Sequence, residues 1–97
     1  MTHDRFDEIR RTIDETDRSI VALVNARLEL VRELWALKRV LGLDDVDPGR
    51  EAALRAALAG ANAGPLSDEG LDRLVTELLA LTKDEMRRPA AGDSVDG

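Results

Sequence analysis

The fold is decided by one stretch, residues 4–41, which reads DRFDEIRRTIDETDRSIVALVNARLELVRELWALKRVL. Apolar residues recur along it at alternating steps of three and four, the spacing of one helix face in a bundle or coiled coil. The positions of this apolar stripe are Phe6, Ile9, Ile13, Thr16, Ile20, Leu23, Arg27, Leu30, Leu34, Leu37 and Leu41. The pattern predicts a single long helix over the whole stretch.

A helix of this length is too long to be covered by the rest of its own chain. At 1.5 Å per residue it spans roughly 57 Å, whereas a compact domain of about 100 residues has a radius of gyration near 13 Å. The chain has 97 residues and only two aromatic ones, Phe6 and Trp35, so its own core is thin. We therefore expect a second copy to bury the stripe, most simply in a two-fold dimer.

The remaining sequence predicts two shorter helices and no strand. The second helix begins at Pro48 and is expected to reach about Ala59, before a turn-rich segment at 60–65. The predicted N-caps are Asp4, Asp47 and Ser67, and the predicted stop signals are Gly42, Gly60 and Pro89. The predicted buried face of the third helix is Leu71, Leu74, Val75, Leu78, Leu79, Thr82 and Met86.

These patterns predict an all-α fold with three helices per chain, one of them a very long N-terminal helix, in an intertwined homodimeric helical bundle. We expect one domain over residues 1–88 and a disordered tail over residues 89–97, which are rich in Ala, Gly, Asp and Ser. The only histidine, His3, is expected to lie in a frayed N-terminal tail.

Composition excludes several classes of function. The net charge of −6 argues against a general nucleic-acid binder, because phosphate contact needs a basic face. The chain has no cysteine, hence no disulfide and no thiol chemistry. It has no apolar run of membrane-spanning length and no signal-peptide pattern, so we expect a soluble, cytoplasmic protein that does not bind membranes.

Cations on the long helix indicate an anion-binding site. Arg27 interrupts the stripe, and Lys38 lies eleven residues on, so the two side chains point within roughly 20° of each other. A guanidinium is costly to bury without an anionic partner. Arg50 lies in the first turn of the second helix, where a positive charge opposes the helix dipole unless an anion binds nearby.

Arg10 lies seventeen residues before Arg27, about 25 Å along the helix, so the two cannot hold one small ligand within one chain. In an antiparallel dimer, Arg10 of one chain could approach Arg27 of the other, which predicts two equivalent pockets made from both subunits. Structural alternatives stay open for each cation. They are an Arg10–Asp14 surface ion pair, a buried salt bridge of Arg27, a snorkelling Lys38 and an Arg50–Glu51 ion pair.

In this order and spacing, the residues resemble one family. The pattern is Ile9-Arg10-Arg-Thr-Ile13-Asp14-Glu-Thr-Asp17, then Ile20-Val-Ala-Leu23-Val-Asn-Ala-Arg27, then Lys38, then Arg50-Glu51. It is similar to the small all-helical (type II, AroQ-class) chorismate mutases, whose fold is an intertwined homodimer with three helices per chain. The resemblance implies an isomerase of aromatic amino acid biosynthesis, in the shikimate pathway, that converts the dicarboxylate chorismate to prephenate without cofactor or metal.

The resemblance also implies the roles of individual residues. Arg27, and Arg10 from the partner chain, would clamp the two carboxylates, and Arg50 would close from the second helix. Lys38 would point at the ether oxygen, where negative charge grows as the bond breaks. The implied catalytic residues are Lys38, Arg27 and Arg10, and the implied substrate-binding set is Arg10, Arg27, Lys38, Asp47, Arg50, Glu51, Thr82 and Met86.

Met86 departs from the family pattern. Family members usually carry Gln or Glu there, four residues after a Ser or Thr, as a donor to the ether oxygen, and methionine has no such donor. Three interpretations follow. The protein is a weak chorismate mutase that is activated in complex with the first enzyme of the aromatic pathway, or it is an enzyme that acts on a relative of chorismate. The third alternative is a non-catalytic helical dimer that regulates another shikimate-pathway enzyme. One such relative is 4-amino-4-deoxychorismate of antibiotic pathways, whose ammonium group would suit the acidic residues Asp44, Asp45, Asp47 and Glu51. Another is isochorismate, the substrate of a pyruvate lyase with a similar site.

Overall fold

The computed structural model describes residues 3–43 and 48–89. They form three helices, which are α1 (Asp4–Leu41), α2 (Pro48–Ala61) and α3 (Asp68–Arg87). The bounds of α1 are those predicted from the apolar stripe. Helix α2 continues two residues past the predicted Ala59, because the alanine-rich sequence favours helix despite Gly60. The predicted N-cap Asp47 and the predicted tail from residue 90 onward lie outside the described residues.

The N-cap of α1 differs from the prediction, although the first helical residue does not. Asp4 is the first helical residue, and the N-cap is His3, which makes no side-chain capping hydrogen bond. The prediction of Asp4 as N-cap is therefore wrong, and its carboxylate lies in the first turn, near the positive end of the helix dipole. His3 also packs edge-on against Phe6, with ring centroids 6.4 Å apart, so it belongs to the helix end rather than to a tail.

Two more of the predicted helix ends are confirmed by their hydrogen bonds. Gly42 adopts a left-handed conformation with φ 71°, which a residue with a side chain adopts only at a cost. The amide of Leu43 donates to the carbonyl oxygen of Lys38 at 2.8 Å, so α1 ends in a Schellman motif. At the start of α3, the Ser67 hydroxyl accepts a 3.0 Å hydrogen bond from the amide of Gly70, as an N-cap does.

Helix α3 lies between the other two and packs on both. A two-pronged contact ties it to α2: the Arg55 guanidinium donates to the Asp72 carboxylate at 2.7 Å and to the Thr76 hydroxyl at 3.1 Å. Within the described part of the chain, only Val75 and Thr82 are buried, at 2% and 6% exposure. The predicted burial of Leu74 is wrong for the single chain, where it is 55% exposed, because a layer only 16 Å thick has nothing to cover that side of α3.

The long helix is largely uncovered. Every residue of α1 from Asp4 to Leu23 is exposed. The half-buried residues of α1 all lie after Leu23, and they are Val24, Arg27, Leu28, Val31, Trp35 and Lys38. The apolar members of the stripe are all exposed.

The global dimensions agree with this picture. The radius of gyration is 17.8 Å, against about 13 Å for a compact domain of this length. The accessible surface is 8201 Å², about one and a half times that of a compact monomer of the same mass. Among the helices that the structure describes, none has the combination of length and apolar character that crossing a membrane requires.

Candidate active site

The candidate site is built around a hydrogen bond between α1 and α3. Arg27 Nη1 donates to Thr82 Oγ1 at 2.6 Å, across fifty-five residues of sequence. Arg27 is half-buried and Thr82 is buried. The arginine therefore turns from the exposed stripe toward its own chain's α3, which determines where its guanidinium lies.

The Thr82 hydroxyl makes a second hydrogen bond, within α3. Its O–H group donates to the carbonyl oxygen of Leu78, one turn earlier, at an oxygen–oxygen distance of 2.7 Å. Since a hydroxyl has one hydrogen and two lone pairs, it gives its only hydrogen to Leu78 and offers a lone pair to Arg27. The acceptor is thus oriented toward the guanidinium by the helix itself.

Arg27 has no anionic partner within the described residues. None of the ion pairs among residues 3–43 and 48–89 includes it. The alternative of a buried structural salt bridge is therefore not realised in this part of the chain. A half-buried guanidinium whose hydrogen bond to the described residues is to a neutral hydroxyl retains donors for a ligand anion.

The first turn of α2 reaches the same region through an ion pair. Glu51 Oε1 lies 3.6 Å from the Nζ of Lys83, the residue that follows Thr82. This contact joins the start of α2 to α3 at the residue next to Thr82. Met86 is half-buried on α3, four residues after Thr82, and therefore on the same face one turn on.

The other predicted residues are placed less closely. Lys38 is half-buried on the α3-facing side of α1, about 16 Å along the helix from Arg27. Arg50 is exposed in the first turn of α2. Asp47 lies outside the described residues, as do Asp44 and Asp45.

Arg10 stands apart from this cluster. It is exposed on α1, and its guanidinium carbon lies 4.7 Å from the centroid of the Phe6 ring, in a cation–π contact. The alternative of an ion pair with Asp14 is wrong, because that pair is absent from the ion pairs of the described residues. Seventeen residues of helix, about 25 Å, separate Arg10 from Arg27 in the same chain.

Two kinds of comparison with known proteins agree on the family. The family model described as chorismate mutase type II matches residues 9–87. The chain belongs to the type II chorismate mutase family. Members of this family are isomerases, and the reaction of this chain is accordingly the rearrangement of chorismate to prephenate, in aromatic amino acid biosynthesis. No curated protein matches the chain.

Solved structures of chorismate mutase from Thermus thermophilus are similar to the chain. Form II is 34% identical with a TM-score of 0.80, and the match covers 88% of this chain and 97% of that one. Form I is also 34% identical, with a TM-score of 0.77 and coverage of 81% and 99%. The predicted family and three-helix fold of this chorismate mutase family member are thereby confirmed.

Sequence reasoning did not single out Lys83. Its partner Glu51 is thirty-two residues away, on another helix. A pairing between two helices leaves no periodic signal, unlike an i,i+4 pair within one helix. The i−4 hydrogen bond of Thr82 could have been anticipated, since threonine within a helix commonly bonds to the carbonyl four residues before it.

Proposed function

We propose that this isomerase works at two equivalent sites, each assembled from both subunits of a homodimer. The observation that carries the proposal is the state of Arg27, which is half-buried, oriented by Thr82 and without a carboxylate partner in the described chain. A guanidinium in this state favours a carboxylate ligand, which it can hold by two parallel hydrogen bonds. The substrate, a dicarboxylate, would supply that partner.

The reaction asks little of the side chains as reagents. One C–O bond breaks and one C–C bond forms within the same molecule, so no proton or group leaves the substrate. The site has to hold the dianion in its folded conformer and stabilise charge growing on the ether oxygen. The only histidine, His3, is at the far end of α1, about 36 Å along the helix from Arg27, and it is not needed.

In this proposal each described residue has a role that its position allows. Arg27 binds one carboxylate, and Lys38, half-buried on the same side of α1, directs its ammonium to the ether oxygen. Arg50 contributes from the first turn of α2. Glu51, which also pairs with Lys83, accepts from the ring hydroxyl. The same role is proposed for Asp47, which lies outside the described residues.

The partner chain supplies Arg10. Both the separation of Arg10 from Arg27 and the uncovered stripe support this part of the proposal. A second copy that covers the stripe along the length of α1 would carry its own Arg10 toward the first chain's Arg27. The excess surface of the single chain is of the size that an obligate dimer interface removes. The proposal includes a cytoplasmic location.

The test is the loss of chorismate absorbance on adding purified protein, with prephenate identified as the product. Arg27→Ala should lower kcat/KM by at least about 10³-fold, because it removes a charged two-point contact to the substrate. Arg32→Ala is the matched control, since Arg32 is exposed on the same helix and belongs to no ion pair of the described residues. Sedimentation should show both variants as dimers.

Two further arms separate the alternatives. The 4-amino analogue of chorismate, assayed in parallel, should turn over more slowly than chorismate, and a faster rate would replace the proposed substrate. The first enzyme of the aromatic pathway, added to the assay, tests for activation. Absence of turnover in every arm, or equal losses in Arg27→Ala and Arg32→Ala, would contradict the proposal.

A further inference from the structure

We infer that Thr82 is a positioning residue, which acts on the reaction by holding the Arg27 guanidinium in place before the substrate binds. The inference rests on the proposed function of Arg27 and deepens it.

The hydrogen-bond directions around Thr82 carry the inference. Its only hydroxyl hydrogen goes to the Leu78 carbonyl oxygen at 2.7 Å, and its oxygen accepts from Arg27 Nη1 at 2.6 Å. To donate to a substrate carboxylate, the hydroxyl would have to give up the bond to Leu78.

Burial explains why this one hydroxyl can control a long side chain. Thr82 is 6% exposed, so water competes poorly for its lone pair, and a bond to a charged donor is worth more than one between neutral groups. Threonine also has few χ1 rotamers, and the bond to Leu78 selects one of them. The guanidinium is thereby held before any substrate arrives, which reduces the ordering that binding would otherwise require.

The chain contains a matched control for this arrangement. Thr76, also on α3, accepts a 3.1 Å hydrogen bond from Arg55, so it forms the same kind of threonine–arginine contact. That contact joins α3 to α2, is exposed, and involves none of the residues proposed to bind substrate. A variant at Thr76 therefore reports what the loss of such a bond costs when only helix packing depends on it.

The decisive pair of variants is Thr82→Ser and Thr82→Ala, which differ from each other only in one oxygen. Thr82→Ser should stay within about threefold of the wild-type kcat/KM. Thr82→Ala should lower kcat/KM by at least about tenfold, mainly through a higher KM. The reason is that a hydrogen bond to a charged group is lost, so the Arg27 side chain has to be ordered when the substrate binds. Thr76→Ala should leave both parameters unchanged.

A second measurement tests the coupling without substrate. The side-chain NMR signals of Arg27, assigned by their loss in Arg27→Lys, should show faster rotation about the Nε–Cζ bond in Thr82→Ala than in the wild type or Thr82→Ser. This readout is independent of turnover. A wild-type chain without activity would refute the proposed function, while faster rotation in Thr82→Ala would still support the positioning of Arg27.

Three results would overturn the inference. Equal losses in Thr82→Ser and Thr82→Ala would mean that the methyl group, and hence packing, is what matters. Wild-type kinetics in Thr82→Ala would mean that Arg27 needs no positioning. Unchanged rotation of the Arg27 side chain in Thr82→Ala, together with a loss of kcat/KM, would mean that Thr82 acts by contacting the substrate directly and not through Arg27. Should Thr82→Ala prove unfolded by circular dichroism, Thr82→Val, which keeps the size of the side chain, takes its place with the same expected outcomes.

Discussion

Leu30→Ala tests whether a second copy of the chain covers the apolar stripe. Leu30 is 64% exposed in the single chain and lies one turn from Arg27 on α1. A leucine left in water gains nothing from its size, so in a monomer the change would be nearly neutral. In the proposed dimer, the partner chain covers that side chain.

The magnitude follows from the exposed fraction. Leu→Ala removes three carbon atoms, each worth about 0.8 kcal/mol when buried, and the partner would cover about two-thirds of the side chain. The loss is therefore about 1.5 kcal/mol per subunit, and two-fold symmetry doubles it to about 3 kcal/mol per dimer. The dimer dissociation constant should rise by about 10²-fold.

The assay is sedimentation equilibrium over a dilution series, with helicity followed by circular dichroism. Val40→Ala is the matched control: Val40 is 81% exposed but lies on the charged side of α1, within about 20° of the directions of Glu29 and Glu33. It should leave the dissociation constant unchanged. Equal behaviour of the two variants, or a wild-type chain that stays monomeric at high concentration, would refute the reasoning.

Three other changes have outcomes that the structure lets us state. Met86→Gln should raise chorismate turnover by up to about 10²-fold, because it adds a hydrogen-bond donor beside the substrate. Met86→Leu is the control and should not raise it. Equal rates for the two variants would mean that residue 86 lies away from the ether oxygen. Arg10→Ala should lower kcat/KM by at least about 10²-fold, although Arg10 is exposed in the single chain. Its neighbour Arg11 points about 100° away around the helix, so Arg11→Ala should keep the wild-type kcat/KM. A loss of activity in both variants would indicate damage to the helix. Ser67→Ala should lower the melting temperature by roughly 5 °C through loss of the α3 N-cap, and Ser19→Ala, which removes only an exposed hydrogen bond within α1, should shift it less.

Local chemistry explains which parts of the fold were predictable. The three-and-four spacing of the stripe gave the bounds of α1, and Gly42 gave its end, because each depends only on residues close in sequence. The N-cap was predicted one residue too late, because aspartate is a preferred N-cap residue and histidine is not. In the structure His3 takes the N-cap position without a side-chain capping bond. The end of α2 moved because alanine propensity outweighs one glycine.

The contacts of the site were beyond such reasoning. The periodicity of α1 placed Arg27 on an inward face, but it could not show that Thr82, fifty-five residues away, accepts its hydrogen bond. Nor could it show that Lys83 faces Glu51. Family resemblance placed Thr82 near the substrate, and only the directions of its two hydrogen bonds point to a positioning role.

The shared pocket is the central claim, and subunit mixing tests it most directly. Arg10→Ala and Arg27→Ala chains, each inactive alone, are unfolded together and refolded as a mixture. Each hybrid dimer then has one intact pocket, and half of the dimers are hybrids, so about one quarter of the wild-type activity should return. The control mixture of Arg27→Ala with Lys38→Ala should stay inactive, because both residues belong to the same subunit's half of the pocket. Recovery in the control mixture, or none in the first, would contradict a site built from two chains.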